Sequence, residues 1–415
     1  MSSSGLHTNR NFLLLWSGNA TSLVGFHGVR IAYPLLVLAV TGSPAAAGWV
    51  GFAVSVPSLL FQIPAGLVAD YSDRIRVLLW CQVIGLAATG LAAFATMVEL
   101  PRLGVLIAVT AFIEGTVYAF VGLSELSAIR DVVSQAQRPA AFAFLQAEQP
   151  IALLIGRASG AAVYGVARWL PFLVNAISYV YCLVTLLLIR KTAHSAPART
   201  DPDDRPSGRS IVNGVRVVWT DPIMRASTVA IGASNIVIQI VLLLIMVELK
   251  QSGRPAWTIG VVLGAAGVGG IIGAAVASRL TAAFPAHRVY QGALWAWAAL
   301  LVPIAVSENP LVLAVSWGGI GGVGVASNVA LTLYRVDVIP EHTLGRVTAA
   351  MGVVATGAVA LGALGAGYLL STIGVVATRW TVLGVMLALA LCAGGFAARP
   401  AVQARSRIDV TGHQS

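Results

Sequence analysis

The chain has 415 residues, of which 57% are hydrophobic and only 10% charged, and its formal net charge is +10. Soluble domains carry about 25% charged residues, so this composition excludes a water-soluble surface and, with it, a soluble enzyme. The basic residues sit in short loops between apolar blocks, which points to membrane topology and not to nucleic-acid binding.

In chain order, apolar spans are expected at about 12–39, 46–69, 77–98, 103–128, 140–165, 169–190, 225–248, 257–280, 288–307, 310–334, 344–371 and 376–397. Each is near or above the roughly 20 residues that cross a bilayer core. Many of the 43 glycines lie inside these spans, where small residues let helix backbones approach closely. The short N-terminal stretch lacks a small-residue cleavage site, so the first span is expected to stay and not to be removed as a signal peptide. Cys81, Cys182 and Cys392 all fall within spans and imply neither a disulfide framework nor a metal site.

Twelve spans place both termini on one side. The termini and even-numbered loops hold 19 Lys and Arg residues, the odd-numbered loops hold five, and Arg30 and Arg157 lie inside spans. By the positive-inside rule the termini are expected to be cytoplasmic, in a multi-pass protein of the inner (plasma) membrane. The longest connection, 191–224, opens on a Pro- and Ser-rich charged stretch and continues with Ile211, Val215 and Val218 at helical spacing. It reads as a cytoplasmic linker with an amphipathic helix. It separates a first six-span half (1–190) from a second (225–397), followed by a cytoplasmic tail (398–415).

The halves echo each other. TGSPAAAGW (41–49) follows span one and QSGRPAW (251–257) follows span seven, while DVVSQAQR (131–138) and DVIPEHTLGR (337–346) precede spans five and eleven. Asp131 to Gly156 and Asp337 to Gly362 are both 25 residues. Span five then carries Gly156, Gly160 and Gly165, and span eleven carries Gly362, Gly365 and Gly367. Duplicated halves with a midplane site between them are a transporter architecture.

The loop between spans two and three, PAGLVADYSDRIRVL (64–78), resembles the cytoplasmic motif of the major facilitator superfamily through Gly66, Asp70, Arg74 and Arg76. Asp73 stands where the family usually has Gly, a departure expected to weaken the turn. The second-half copy, GIIGAAVASRL (270–280), keeps Gly273 and Arg279 without the Asp. The opening segment 11–50 and the D-x-x-P-E-x-x-x-G-R loop at 337–346 resemble the enterobactin-exporter and macrolide-efflux branch. The Gly-Pro pair that drug antiporters often carry in span five is Gly156-Arg157 here. The resemblance implies an all-α membrane fold of twelve helices in two pseudo-symmetric halves. It also implies a gate at Gly66, Asp70, Arg74 and Arg76, in which Asp70 meets an Arg or a helix end. Spans one, four and five are then expected to face a central cavity.

Ionisable groups at membrane depth are functional candidates by default. They are Arg30 on span one, Glu114 and Glu125 on span four, and Glu148 and Arg157 on span five, all in the first half. Counting residues from span ends places Arg30, Glu114 and Arg157 in one layer, Glu148 deeper, and Glu125 near the interface. Two readings stand for the layer: a buried Arg–Glu–Arg lock, or a proton-exchanging carboxylate at Glu114 beside a guanidinium. Glu148, with no cation within two turns, is the other proton-coupling candidate. Arg30 and Arg157 are alternatively an anion-binding pair. His27, three residues from Arg30, is expected to pack.

The second half offers neutral polar candidates for a substrate cavity: Asn235 and Gln239, four apart on one helical face, with Asn328 and Tyr334 on span ten. Trp295, Trp297 and Trp317 read as packing or interfacial residues. The Gly-rich run 264–275 contains no Gly-Lys-Ser/Thr and reads as helix packing, not a phosphate loop. No cofactor and no metal are expected. The reading is a monomeric, proton-coupled exporter of an amphipathic small molecule such as a drug, siderophore or other secondary metabolite. Its partners are the lipid bilayer, the solute and protons. An importer of a small nutrient and a non-transporting sensor or scaffold are the alternatives.

The topology has a direct test. Single cysteines placed at Ser207 and Ser252 are expected to label from opposite sides of the membrane; labelling from one side removes the twelve-span arrangement.

Overall fold

The computed structural model describes residues 6–189, 219, 222–338 and 341–397. The described residues form helices and connecting turns. They are α1 (Arg10–Thr41), α2 (Pro44–Leu60), α3 (Gln62–Tyr71), α4 (Arg74–Met97), α5 (Leu103–Val132), α6 (Arg138–Val166) and α7 (Leu170–Leu187). After the linker come α8 (Pro222–Gln251), α9 (Ala256–Ala283), α10 (Ala286–Val306), α11 (Pro310–Val338) and α12 (Glu341–Ala397). Except at their ends, helices answer their backbone N–H and C=O groups internally, which hydrocarbon requires. Nine of the described helices are long and apolar enough to cross a bilayer. Helix α6, which carries Glu148 and Arg157, is not among them, and α2 has only 17 residues.

Two irregularities turn these helices into twelve crossings. The expected span 46–69 is two helices, α2 and α3, meeting at Phe61. Pro64 has no N–H to offer the Leu60 carbonyl and its ring crowds it, so the chain breaks there. Conversely, the last two spans run together as α12, bent at Gly374 with φ 75° and ψ 179°, a conformation open to glycine alone. The proposed linker helix at 211–218, the tail and the central part of the 337–346 loop lie outside the described residues.

The face on which α1 begins and α12 ends is called basal here, and the opposite face distal. The turns are capped in ways the sequence explains. Asn9 caps α1 through its contact with the Phe12 N–H at 3.2 Å, and its amide donates to the Val132 carbonyl at 2.8 Å, tying α1 to the end of α5. At the distal end Gly42, at φ 66°, closes α1, and Ser43 with Pro44 opens α2. Asp73, expected to weaken its turn, does the reverse. It adopts an extended φ of −64° and accepts the Arg76 N–H at 3.2 Å, capping α4. A glycine there is not required.

The first half packs α1 on α6 and α7, α4 on α5 and α7, and α2 on α5. In the second, α9 lies on α11 and α8 on α12. Contact between halves runs along α2–α12 and α6–α9. It is a seam of small residues. A Cβ added at Gly48 would stand 2.7 Å from the Gly367 Cα, and one at Gly260 would stand 2.6 Å from the Ala161 Cβ. Trp49 Nε1 donates to the Tyr368 hydroxyl at 3.1 Å across the same seam. Within the first half, Gly160 meets Gly28 in the same way, with an added Cβ 2.4 Å from its Cα.

The apolar clusters show which end of the seam is shut. One cluster joins Ile31, Leu35 and Leu38 of α1 to Leu244, Ile245, Met246, Val247 and Leu249 of α8, Ile259 of α9 and Leu370 of α12, all in the distal half. Toward the basal face the two halves have separate cores: Phe12, Leu15, Leu78, Ile129 and Leu186 in one, and Val347, Ala350 and Met351 in the other. Helices α2 and α3 stay beside α12 further down, with Leu59 of α2 beside Gly357 and Gln62 of α3 beside Gly352. The molecule is therefore sealed distally.

Because Gly367 meets Gly48 backbone to backbone, Gly367→Val is expected to push the halves apart distally at a cost of about 1–3 kcal/mol to the sealed form. A cysteine at Ser55 should then react faster with a membrane-impermeant thiol reagent added from the distal side. Unchanged reactivity would show that the seam does not set the closed state.

Candidate functional site

The five deep charges fall into separate compartments. Glu114 is fully buried, but it faces α7, not the seam. Asn175 Nδ2 donates to its Oε1 at 3.2 Å and the Tyr179 hydroxyl donates to its Oε2. Asn175 in turn reaches the Thr89 hydroxyl at 3.4 Å. This network locks α4, α5 and α7. The expected Arg30–Glu114–Arg157 lock does not form. Residue counting along a helix carries no azimuth, and the azimuth turns Glu114 toward Asn175 and Tyr179 of α7.

Arg30 and Arg157 do come together. Both line a cavity of about 40 Å³ between α1, α2 and α6 on one side and α8 and α12 on the other. Each lies within the other's electrostatic field. Arg30 Nη2 reaches the Ser55 hydroxyl at 3.3 Å, and Arg157 makes no hydrogen bond or ion pair among the described residues. Gln239 lines the same cavity from α8, with Pro34, Leu243 and Met246 as apolar walls. The volume suits a few waters, so a larger solute enters only when the seam relaxes. His27 is buried beside this group, packed against Phe26 and Tyr118. Arg30, Arg157 and Gln149 are its electrostatic neighbours, and neither ring nitrogen meets hydrogen-bond geometry with any of them.

Glu148 sits in a third compartment, toward the basal face inside the first half. It is 5% exposed, and neither carboxylate oxygen has a hydrogen-bond partner. Its electrostatic neighbours are Glu125 of α5, Cys182 of α7 and, close by, the Trp16 indole of α1. Glu125, expected near the interface, is itself buried at 8% exposure, with one oxygen unpaired. Asn19 borders it and accepts from Cys182 Sγ at 3.4 Å. Two buried carboxylates thus lie within electrostatic reach of each other, and no cation forms an ion pair with either among the described residues. Glu125 lies seven residues from the end of α5 and Glu148 ten from the start of α6, about 10 and 15 Å along the axes. That near match in depth was readable from the sequence and was missed.

The remaining sequence candidates scatter. Asn235 Nδ2 donates to the Ala355 carbonyl at 3.3 Å and packs α8 on α12. Asn328 is exposed on α11 and Tyr334 is half-buried four residues from its end, both away from the cavity lining. Trp297 and Trp317 donate to the Ile320 and Leu263 carbonyls at 2.9 and 3.2 Å and serve packing, while Trp295 is exposed.

In the basal loop, Arg74 Nη1 bonds Asp131 Oδ1 at 2.7 Å and Arg74 Nε donates to the Ala69 carbonyl at 3.2 Å. The partner of Arg74 is therefore at the end of α5, and the pair lies within one half. The Asp70 side chain falls outside the described residues; its backbone is in the last turn of α3. Arg76 is exposed, and a Cβ at Gly66 would meet nothing. An ion pair unforeseen from the sequence closes the distal end of the second half. Arg379, 7% exposed in its side chain, bridges Glu248 at 2.5 Å and Glu308 at 3.2 Å.

Comparison with known proteins agrees with this architecture. The profile of the transmembrane secretion effector family matches residues 3–411. The multidrug efflux pump Tap of Mycolicibacterium fortuitum is 26% identical over 391 residues, covering 90% of this chain and 92% of that protein. The nucleoside transporter NupG superposes with a TM-score of 0.72 at 13% identity, over 93% of this chain and 98% of that one. A bacterial homologue of the iron transporter ferroportin in its inward-facing state gives 0.72 at 16% identity, over 95% and 100%. With a family match over nearly the whole chain and the twelve-helix, two-half architecture in place, the chain belongs to the transmembrane secretion effector family of the major facilitator superfamily and is a membrane transporter.

Proposed function

We propose that the protein exports an amphipathic small molecule across the plasma membrane, driven by inward movement of protons through the Glu125–Glu148 pair. The likeness to a multidrug efflux pump supports the direction and the solute class. The observation that carries the coupling is the pair itself. Two neighbouring buried carboxylates without a cation cannot both be charged at low cost, so the pair is a place to hold and release a proton. The basal compartment lies in the half of the molecule where the two domain cores are separate. Rocking of the halves changes the solvation of that compartment, and solvation decides whether the proton stays. In this reading the basal face is cytoplasmic, the termini are inside, and the transporter works as a monomer.

The loop carrying Gly66, Asp70, Arg74 and Arg76 is proposed as the basal gate. The Arg74–Asp131 bond would stiffen the first half at that end so that it moves as one body. The pair is mostly buried, with side chains 11% and 16% exposed, and single removal should cost about 1–3 kcal/mol. Arg74→Ala and Asp131→Asn should each slow transport while the protein stays inserted, and the double variant should be no worse than either single one. Additive losses would show that the two residues act separately.

The coupling is tested in liposomes with fluorescent amphipathic solutes of anionic, neutral and cationic head groups. Glu148→Gln should abolish uphill, pH-driven transport and leave downhill exchange. Glu114→Gln, which can keep its bonds to Tyr179 and Asn175, should retain pH-driven transport. Concentrative transport by Glu148→Gln at the unmodified rate would remove the pair from the mechanism.

A further inference from the structure

We infer that Arg30 and Arg157 together receive one anionic group, a carboxylate, sulfonate or phosphate, borne by the transported solute. The inference rests on the transport reading above and names the chemistry of its cargo. Two guanidiniums from different helices converge on one cavity. Each acidic side chain in the surrounding interior is placed elsewhere. Glu114 is bound by Tyr179 and Asn175, Glu125 and Glu148 occupy the basal compartment, and Glu248 is held by Arg379 at the distal end. Among the described residues, Arg30 has a neutral hydroxyl at 3.3 Å and Arg157 has no bonded partner at all.

Like charges close together at membrane depth repel each other, and among the described residues neither guanidinium has an acidic partner. A structural role would give each guanidinium a carboxylate or a set of carbonyls, and among the described residues neither has one. An anionic group entering the cavity would meet both guanidiniums. Guanidinium forks match the paired oxygens of carboxylate and phosphate, and such charge-assisted bonds are the strong ones.

The rest of the lining describes the rest of the ligand. Pro34, Leu243 and Met246 offer an apolar wall, and Gln239 offers an amide from the opposite half. A solute held by Arg30 and Arg157 on one half and by Gln239 on the other touches both bodies that rock. Its affinity therefore differs between the open and closed forms, which is the condition for a ligand to bias a conformational change.

The test uses the full-length protein in lipid nanodiscs without a pH gradient, with 1-naphthoate as the anionic probe and 1-naphthamide as its neutral isostere, at constant ionic strength. Calorimetry is expected to show saturable binding of naphthoate and none of naphthamide. Arg30→Gln and Arg157→Gln should each weaken naphthoate binding by at least about tenfold, while Arg254→Gln on the exposed distal loop, with the same change of charge, should not. Arg157→Gln should unfold at no lower temperature than the unmodified protein, since it removes an uncompensated charge. Should a glutamine variant fail to fold, Arg157→Lys keeps the charge without the fork and should bind naphthoate measurably but more weakly.

Equal binding of naphthoate and naphthamide, equal affinity in the unmodified and Arg157→Gln proteins, or no binding of naphthoate would each overturn the inference. So would full competition by an equal concentration of chloride, which would make the site one for inorganic anions. Because binding is read at equilibrium, a negative result leaves proton coupling at Glu148 standing, and a coupling failure leaves this site standing.

Discussion

Hydrocarbon cannot solvate a charge, so each ionised group at membrane depth must find its counterpart inside the protein or wait for one to arrive. That constraint sorts the interior of this transporter. Glu114 found a tyrosine and an asparagine and became part of the scaffold. Glu248 found Arg379 and holds the distal end of the second half. Glu125 and Glu148 found each other, which satisfies neither unless a proton is shared. Arg30 and Arg157 face a cavity with no acid among its described lining residues. The groups that are answered hold the fold, and the groups left unanswered are where protons and solute would act.

The second constraint is steric. The halves meet along α2–α12 and α6–α9, and there the backbones approach so closely that Gly48 and Gly367 could not both carry a Cβ. Contacts of this kind depend on van der Waals fit and not on interlocked large side chains. Two such surfaces can part without dragging bulky groups out of sockets, which suits a seam that must open and close. The larger side chains of the shared cluster, such as Ile31, Leu35, Leu244 and Leu370, lie at the distal end and exclude water there. Beneath that seal, in the distal half of the molecule, lies the cavity of Arg30 and Arg157, and the basal compartment of Glu148 lies on the far side of it.

Several residues changed role between their sequence context and their place in the fold. Asp73 looked like a lost glycine and proved to be the cap of α4. Asp131 looked like a marker of internal duplication and proved to be the partner of Arg74. Asn235 and Gln239, one turn apart, divide between packing and cavity. In each case the local pattern was real, but a side chain's task depends on what another helix sets opposite it.

The sequence by itself determined the class of molecule, the two-half helical architecture and which ionisable residues lie within apolar spans. These follow from one-dimensional quantities: runs of apolar residues, the spacing of charges and a fixed rise per residue. The break at Phe61 was also within reach, since Pro57 and Pro64 are visible in the sequence. Only the tertiary structure decided which deep charges meet. Glu114 turns to α7 and Arg30 to the cavity, whereas Glu125 and Glu148 come within electrostatic reach of each other, in a bundle where close contacts such as those of Gly28 with Gly156 and Gly160 set how each helix is rotated. Rotation about the axis is a property of the packed set of helices, and no single helix contains it.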